Sequence, residues 1–185
     1  MRIVGGRLRG RTLRGPRSDA VRPTTDRLRE TLFNVLAHAY GEPGEGARVL
    51  DLFAGTGALG LEALSRGAGF ALFVEQASEP CALIRANCAA LGVEHATALL
   101  RRDATRLGSA GAQAPFDLVF CDPPYGRNLP GPALTGAARG GWLRPGALVV
   151  VEEAAQAKFA PPPDFETIER RRYDATELVL LRAPD

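Results

Sequence analysis

The chain has 185 residues, 45% of them hydrophobic and 24% charged, with a formal net charge of +2. This composition excludes a mainly disordered chain, and the length permits a hydrophobic core without metal or disulfide staples. The longest apolar runs, such as Phe70–Val74 and Ala147–Val151, are five residues long, whereas a membrane helix needs about 20. No apolar segment of the secretory type follows the basic N-terminus. We therefore expect a cytoplasmic protein with no membrane partner.

The N-terminal segment is strongly basic. Residues 1–30 hold nine arginines against three acidic residues, a formal charge of +6. Arg2–Val4 and Arg11–Leu13 are predicted to pair as a short hairpin around glycine-containing turns. Such a block of positive charge favours contact with a polyanion, and nucleic acid is the leading interpretation over a merely solvated surface.

A helix is predicted to follow this hairpin. Thr24 or Thr25 can cap its N-terminus, and leucine and valine residues at helical spacing form one buried stripe up to about Ala39. Residues 1–40 are therefore assigned to a basic hairpin and helix extension, and residues 41–185 to the main domain.

From residue 47 onward, predicted strands and helices alternate, which is typical of an α/β fold with a parallel sheet covered by helices on both faces. The predicted strands are Arg48–Phe53, Phe70–Glu75, Thr97–Arg101, Phe116–Cys121 and Ala147–Glu152, with a closing antiparallel pair at Phe165–Arg172 and Glu177–Arg182. The predicted helices are Ala58–Ser65, Pro80–Leu91, a short stretch near Asp103–Leu107 and a weak one at Leu134–Leu143.

The first predicted strand ends in a glycine-rich loop that opens a helix. Glycines at 55, 57 and 60 let a ligand approach the backbone at a helix N-terminus, a pattern that also fits nicotinamide dinucleotides. Asp51 would repel a pyrophosphate but suits a ligand that carries a sulfonium or ammonium cation, such as S-adenosylmethionine. The candidate cofactor-binding residues in this region are Asp51, Phe53, Ala54, Gly55, Thr56 and Gly57.

Two further carboxylates follow the next strands. Glu75 ends the second strand and can hold both ribose hydroxyls, a feature of both cofactor classes. Asp103 follows the third strand and can accept a hydrogen bond from an adenine amine. The alternative for Asp103 is a helix N-cap for residues 104–107.

The fourth strand runs into Asp122-Pro123-Pro124-Tyr125, which suits methylation of an exocyclic amine on a planar base. The Asp122 carboxylate and the Pro123 carbonyl can accept hydrogen bonds from the amine and make its lone pair available. Tyr125 can stack on the base, which must first leave its own stack. The alternative is a strand-terminating turn, but the tetrapeptide is expected to face the glycine loop at the switch point of the sheet.

The cysteines and histidines indicate no metal site. Cys81, Cys88 and Cys121 match no zinc spacing and are interpreted as core residues, and His38 and His95 have no partner motif.

Taken together, these motifs closely resemble the bacterial 16S ribosomal RNA guanine-N2 methyltransferases of the RsmD type, over nearly the whole chain. The most specific part is the N-terminal signature. The matching segments are Arg2-Ile3-Val4-Gly5-Gly6, Gly10-Arg11, Arg22-Pro23-Thr24-Thr25-Asp26-Arg27-Leu28-Arg29-Glu30-Thr31-Leu32-Phe33-Asn34, the run from Asp51 to Ala68, and Asp122-Pro123-Pro124-Tyr125.

The resemblance implies a seven-stranded class I methyltransferase fold of the Rossmann-like type. It implies methyl transfer from S-adenosylmethionine to N2 of one guanine in 16S rRNA, within the small ribosomal subunit or an assembly intermediate. Arg22 to Thr25 would lie near the cofactor and the target base, and Thr24 is a candidate cofactor contact. Arg7, Arg9, Arg11 and Arg22 would bind RNA phosphates, and the enzyme is expected to be a monomer.

Two departures and three rival functions remain open at this point. Asp174 stands where the family usually has glycine, and the segment Gly131–Gly141 is unusually rich in glycine. The first rival is an amino methyltransferase acting on DNA or another RNA, although 185 residues leave little room for a DNA target-recognition domain. The others are a ribosome-assembly protein without catalysis and a nicotinamide oxidoreductase, which leaves Asp51 and the tetrapeptide unexplained.

Overall fold

The computed structural model describes residues 1–16, 25–41 and 43–185. The helices are α1 (Asp26–Val35), α2 (Ala58–Ser65), α3 (Ser78–Leu91) and α4 (Pro130–Arg139), and α1 continues into a π-helical turn at Leu36–Tyr40. The strands are β1 (Arg48–Leu52), β2 (Phe70–Glu75), β3 (Thr97–Arg101), β4 (Phe116–Cys121), β5 (Leu143–Ala154), β6 (Glu166–Tyr173) and β7 (Thr176–Arg182). No helix among the described residues has the length and apolarity needed to cross a membrane.

The seven strands form one sheet in the order β3-β2-β1-β4-β5-β7-β6. The first five strands are parallel, and β7 runs antiparallel to both β5 and β6. The chain order reverses between β1 and β4, which is the switch point where such sheets bind ligands outside the carboxyl ends of their strands. The predicted seven-stranded α/β fold is confirmed.

Two hydrophobic layers cover the sheet. Successive residues of a strand point to opposite faces, so Val49 joins the layer beneath α1, α2 and α3, while Leu50 joins the layer beneath α4. The first layer includes a tilted contact between Phe33 of α1 and Phe120 of β4, with ring centroids 5.5 Å apart. Helix α1 is therefore packed directly on the central strands.

Several element boundaries differ from the sequence prediction. Strand β1 ends one residue early because Phe53 has a φ of 59°, outside the range of extended backbone. Helix α4 begins at Pro130 rather than near Leu134, since proline fits the first helical position, where an amide hydrogen would have no partner. Asp174 adopts a φ of 52° in the β6–β7 turn, a conformation that aspartate tolerates.

The N-terminal segment packs on the main domain. The predicted hairpin is reduced to one antiparallel bridge between Arg2 and Thr12, while Ile3, Leu8 and Leu13 are buried in the layer that contains α1 and α2. A Cβ at Gly6 would lie 1.9 Å from the backbone oxygen of Ser65. The diglycine therefore lets this segment lie against the end of α2.

A buried polar network ties this segment to α1 and α2. Arg29 is wholly buried and donates to the Asp26 carboxylate at 2.8 Å and to the backbone oxygen of Arg2. Its guanidinium lies 3.6 Å from the carboxylate of Glu62, which also accepts from the amide of Val4 at 2.9 Å. A buried charge needs such partners, so this part of the N-terminal signature has a structural role.

Candidate active site

The loop between β1 and α2 exposes its backbone at the carboxyl edge of the sheet. Phe53, Gly55 and Gly57 have φ angles of 59°, 55° and 78°. Glycine adopts such positive φ angles readily. For a bulky residue such as Phe53 they cost on the order of 1–3 kcal/mol, and residues in this conformation cluster at functional sites. A Cβ at Gly55 would meet only the Phe53 oxygen, at 3.9 Å. A ligand can therefore approach the loop closely, at the N-terminus of α2.

Gly60 serves packing beneath this loop. A Cβ at Gly60 would lie 2.4 Å from Cε1 of Phe73 and 3.2 Å from the Asp51 carboxylate. Helix α2 therefore contacts β1 and β2 at a distance that only glycine permits.

Asp51 lies under the loop and not on its surface. The side chain is 1% exposed, and its Oδ2 accepts a hydrogen bond from the Gly60 amide at 2.9 Å. The carboxyl pKa is raised from 3.8 to about 8, because burial raises it most, the Gly60 hydrogen bond opposes this, and the negative charge of Glu75 adds to it. Asp51 thus fixes the first turns of α2, and its contact with a cofactor stays a prediction.

Glu75 joins the end of β2 to the glycine loop. Its Oε2 accepts from the Gly55 amide at 3.1 Å and its Oε1 from the Ala77 amide at 2.8 Å. The side chain is partly exposed, and each carboxylate oxygen has a second lone pair. Glu75 can therefore hold the loop and still accept bonds from two ribose hydroxyls.

Asp103 makes the capping contacts that the alternative interpretation describes. Its Oδ1 accepts from both the amide and the hydroxyl of Thr105, at 2.9 and 2.8 Å. These two bonds hold the pKa of Asp103 below its ordinary value. A contact with an adenine amine stays a prediction.

Asn87 of α3 links the glycine loop to the N-terminal segment. Its buried amide nitrogen donates to the backbone oxygens of Thr56 and Arg14, at 3.0 and 3.1 Å, and its oxygen accepts from the Arg14 amide at 2.8 Å. The sequence analysis missed this residue. A lone asparagine on the buried face of a predicted helix was the available signal.

The tetrapeptide lies beside the glycine loop, as predicted. Strands β1 and β4 are neighbours, and the Asp122 amide lies 3.5 Å from the backbone oxygen of Leu52. Asp122 is partly buried and Pro123 is buried, whereas Pro124 and Tyr125 are exposed. The Asp122 carboxylate therefore reaches the same edge of the sheet as the glycine loop.

The end of β5 holds Tyr125 in place. The Tyr125 hydroxyl lies 2.7 Å from Oε1 of Glu152, to which it donates, and 3.2 Å from the Thr176 hydroxyl. Glu152 is only 5% exposed. Burial of the Tyr125 hydroxyl and the negative charge of Glu152 raise the pKa of Tyr125 well above the ordinary value. The adjacent Glu153 accepts from the Gly126 amide at 3.1 Å. The sequence analysis missed both glutamates, although two acids at the end of an apolar strand were a visible signal.

A cleft of about 530 Å³ opens beside the Tyr125 ring. It is lined by the start of α1, the β6–β7 turn, Tyr125 and the end of β5. Its lining residues are Thr25, Arg27, Leu28, Thr31, Tyr125, Glu152, Arg172, Tyr173, Asp174, Ala175 and Thr176.

The predicted RNA-binding arginines do not all fall within the described residues. Arg7 and Arg9 are exposed on the N-terminal segment, and Arg11 is exposed with one nitrogen donating to the backbone oxygen of Ala90 in α3. Arg22 and the candidate cofactor contact Thr24 lie outside the described residues.

In the part of the chain that is described, no group of three or more His, Cys, Asp or Glu side chains could hold a metal ion.

Comparisons with known proteins identify the family. A family model described as Conserved hypothetical protein 95 matches residues 1–182. The chain is 38% identical over 172 residues to ribosomal RNA small subunit methyltransferase D of Escherichia coli, covering 93% of this chain and 84% of that protein.

Solved structures agree with this assignment. The Escherichia coli protein yhhF superposes with a TM-score of 0.84 at 33% identity, over all of this chain and 98% of that one. An RNA methyltransferase from Salinibacter ruber, solved with S-adenosyl-L-homocysteine, shares the fold with a TM-score of 0.67 at 15% identity, over 89% of this chain and 95% of that one. The resemblance found in the sequence is confirmed: the chain belongs to the ribosomal RNA small subunit methyltransferase D family and is a methyltransferase of the class I fold.

Proposed function

We propose that this chain transfers the methyl group of S-adenosylmethionine to the exocyclic N2 of one guanine in 16S rRNA. The observation that carries the proposal is the position of Asp122-Pro123-Pro124-Tyr125 beside the glycine loop, at the β1–β4 switch point. The family supports the choice of substrate, because the Escherichia coli relative is named a ribosomal RNA small subunit methyltransferase.

The cofactor would lie along the carboxyl ends of β1, β2 and β3. The open backbone at Gly55 allows its amino acid portion to approach, and Glu75 supplies carboxylate oxygens for the ribose hydroxyls. Ala54, Thr56 and Gly57 complete the loop, while Asp51 supports it from beneath. The Salinibacter ruber enzyme of the same fold was solved with S-adenosyl-L-homocysteine, the demethylated product of this cofactor. When bound, the cofactor supplies an electrophilic methyl group on sulfur.

The tetrapeptide would prepare the amine for attack. Asp122 and the Pro123 carbonyl accept hydrogen bonds from the two N2 hydrogens, so the nitrogen lone pair turns away from the ring and towards the methyl group. Tyr125 stacks on the guanine and holds it in line, which is the main requirement of a direct displacement. The N2–carbon bond forms as the carbon–sulfur bond breaks, and the methylated nitrogen then loses one proton to Asp122 or water.

The basic N-terminal segment would hold the RNA, as an extension formed by residues 1–40. Arg7 and Arg9 are exposed and would bind phosphates without reading sequence. Asn87 joins this segment to the glycine loop, so the RNA contact and the cofactor loop share one rigid support. We further propose that the enzyme acts as a cytoplasmic monomer on the small subunit or its assembly intermediate.

The test is transfer of labelled methyl from S-adenosylmethionine to small subunits that lack the modification, followed by nucleoside analysis. Labelled N2-methylguanosine is the expected product, and the Asp122→Ala variant serves as the inactive control. Absence of label on subunits, with label on DNA or another RNA, would support the proposed chemistry but contradict 16S rRNA as the substrate. Absence of label on every nucleic acid would refute the proposed activity.

A further inference from the structure

We propose that the cleft beside Tyr125 binds the ribose-phosphate backbone of nucleotides next to the target guanosine, through Arg27 and Arg172. This inference rests on the proposed function and extends it, because it gives the RNA a second contact separate from Arg7, Arg9 and Arg11. The two arginines come from different elements that line the cleft, α1 and the end of β6.

The position of the cleft sets what can enter it. Tyr125 is both the proposed stacking residue and a lining residue, so whatever fills the cleft lies directly beside the stacked base. In a polynucleotide, the adjoining group is the sugar and its phosphates. A volume of about 530 Å³ lies within the range of about 300–1,000 Å³ typical of small-molecule sites, which is enough for a nucleotide.

The walls of the cleft supply donors that suit a phosphate. Arg27 and Arg172 are both exposed, and among the described residues neither side chain forms an ion pair. Nε of Arg172 lies 3.5 Å from the backbone oxygen of Asp174, a contact that leaves its terminal nitrogens for another acceptor. The forked N–H groups of a guanidinium match the oxygens of a phosphate.

Two carboxylates also line the cleft, and each has a place in this arrangement. Glu152 accepts a hydrogen bond from the Tyr125 hydroxyl. Its side chain is 5% exposed, so little of the carboxylate faces the cleft. Asp174 is exposed on the β6–β7 turn, where its carboxylate can accept from a ribose 2′-hydroxyl. That hydroxyl distinguishes RNA from DNA.

The Glu152 contact also orients Tyr125. The hydrogen bond of its hydroxyl favours one position of the ring, at the side of the cleft. We expect the cleft to hold one nucleotide in a defined position relative to Asp122.

The inference is tested by comparing Arg27→Ala and Arg172→Ala with Arg139→Ala. Arg139 is an exposed arginine at the end of α4 and does not line the cleft. The measurements are the affinity for small subunits lacking the modification at several salt concentrations, the affinity for S-adenosylmethionine, and the melting temperature. The cofactor and the subunits are measured separately.

We expect each cleft variant to bind subunits about 10-fold more weakly, as for the loss of a charged hydrogen bond, and to lower the salt slope by about 1. Arg139→Ala should match the wild type, and all three should bind S-adenosylmethionine normally. Arg27→Lys should recover part of the affinity, because the positive charge returns without the fork.

Cleft variants that bind subunits as tightly as Arg139→Ala would overturn the inference while leaving the proposed function intact. A reduced turnover with unchanged subunit affinity would also overturn it, because a phosphate contact must contribute to binding. Failure of the proposed function has a different signature, since the wild type would then transfer no methyl group to subunits at all.

Discussion

Replacement of Asp51 with asparagine should remove a pH dependence from the stability of this protein. The Asp51 carboxyl is 1% exposed, and its pKa is raised from 3.8 to about 8, first by burial and then by the charge of Glu75. At a pH between these two pKa values, the folded protein keeps the Asp51 proton, whereas the unfolded chain has released it. The unfolded state then binds fewer protons, so the free energy of unfolding falls as the pH rises.

The size of the effect follows from the same shift. One proton difference changes the free energy of unfolding by about 1.4 kcal/mol per pH unit. From about pH 5 to about pH 7 the wild type should therefore lose about 3 kcal/mol through Asp51 alone. Asparagine does not titrate and can still accept from the Gly60 amide, so this loss should be absent in Asp51→Asn.

Urea unfolding of the cofactor-free protein, followed by tryptophan fluorescence, measures the effect. The chain has one tryptophan, and Trp142 is buried, so its emission reports global unfolding. The quantity of interest is the difference in unfolding free energy between Asp51→Asn and the wild type at each pH, because all other titrating groups are shared.

Asp103→Asn is the matched control. The pKa of Asp103 is lowered by its hydrogen bonds to Thr105. The stability that Asp103 contributes is therefore lost only as the pH falls below the range used in this experiment. Between about pH 5 and about pH 7, the free energy of unfolding of Asp103→Asn should change with pH as that of the wild type does. If the free energy of unfolding of Asp51→Asn also changes with pH as that of the wild type does, Asp51 is ionised in the folded protein, which would contradict a raised pKa.

Three further outcomes are expected. Gly60→Ala should lower the free energy of unfolding by about 1–3 kcal/mol in urea titrations, because its Cβ would lie 2.4 Å from Phe73; unchanged stability would contradict the packing argument. Asp122→Ala should keep S-adenosylmethionine affinity by calorimetry and lose about 10²–10⁴-fold in turnover, and an equal loss of both would contradict the assigned role. Tyr125→Phe should keep subunit affinity but lower stability by about 1–3 kcal/mol, since the hydrogen bond from Tyr125 to Glu152 is lost. Tyr125→Ala should also weaken RNA binding by about 1–3 kcal/mol.

The strands and helices that position the candidate site could be predicted because their signals are local. Runs of apolar residues identified β2, β3 and β4 with their observed ends, and the glycine pattern identified the start of α2. The neighbouring positions of the glycine loop and Asp122 followed from the general rule for parallel sheets. The end of β1 was misplaced because the positive φ of Phe53 depends on surrounding structure. The start of α4 was misplaced although Pro130 at the first helical position was a local signal.

Other features of the candidate site depend on residues far apart in the sequence. Arg29 and Glu62 are both wholly buried and meet only when α1 packs on α2. The contact between Tyr125 and Glu152, and the cleft beside it, arise where four separate segments converge. No periodicity or motif encodes such a distance.

The sequence by itself determined the fold class, the family and the type of chemistry, and it predicted the residues that would perform it, since each leaves a pattern within a short stretch of chain. Only the tertiary structure decided that Asp51 lies beneath the loop, that Glu75 and Asn87 hold the loop in position, and that a cleft with two arginines adjoins Tyr125. Burial and hydrogen bonding depend on the packing of distant segments, and this packing sets the pKa of Asp51 and the orientation of the Tyr125 ring.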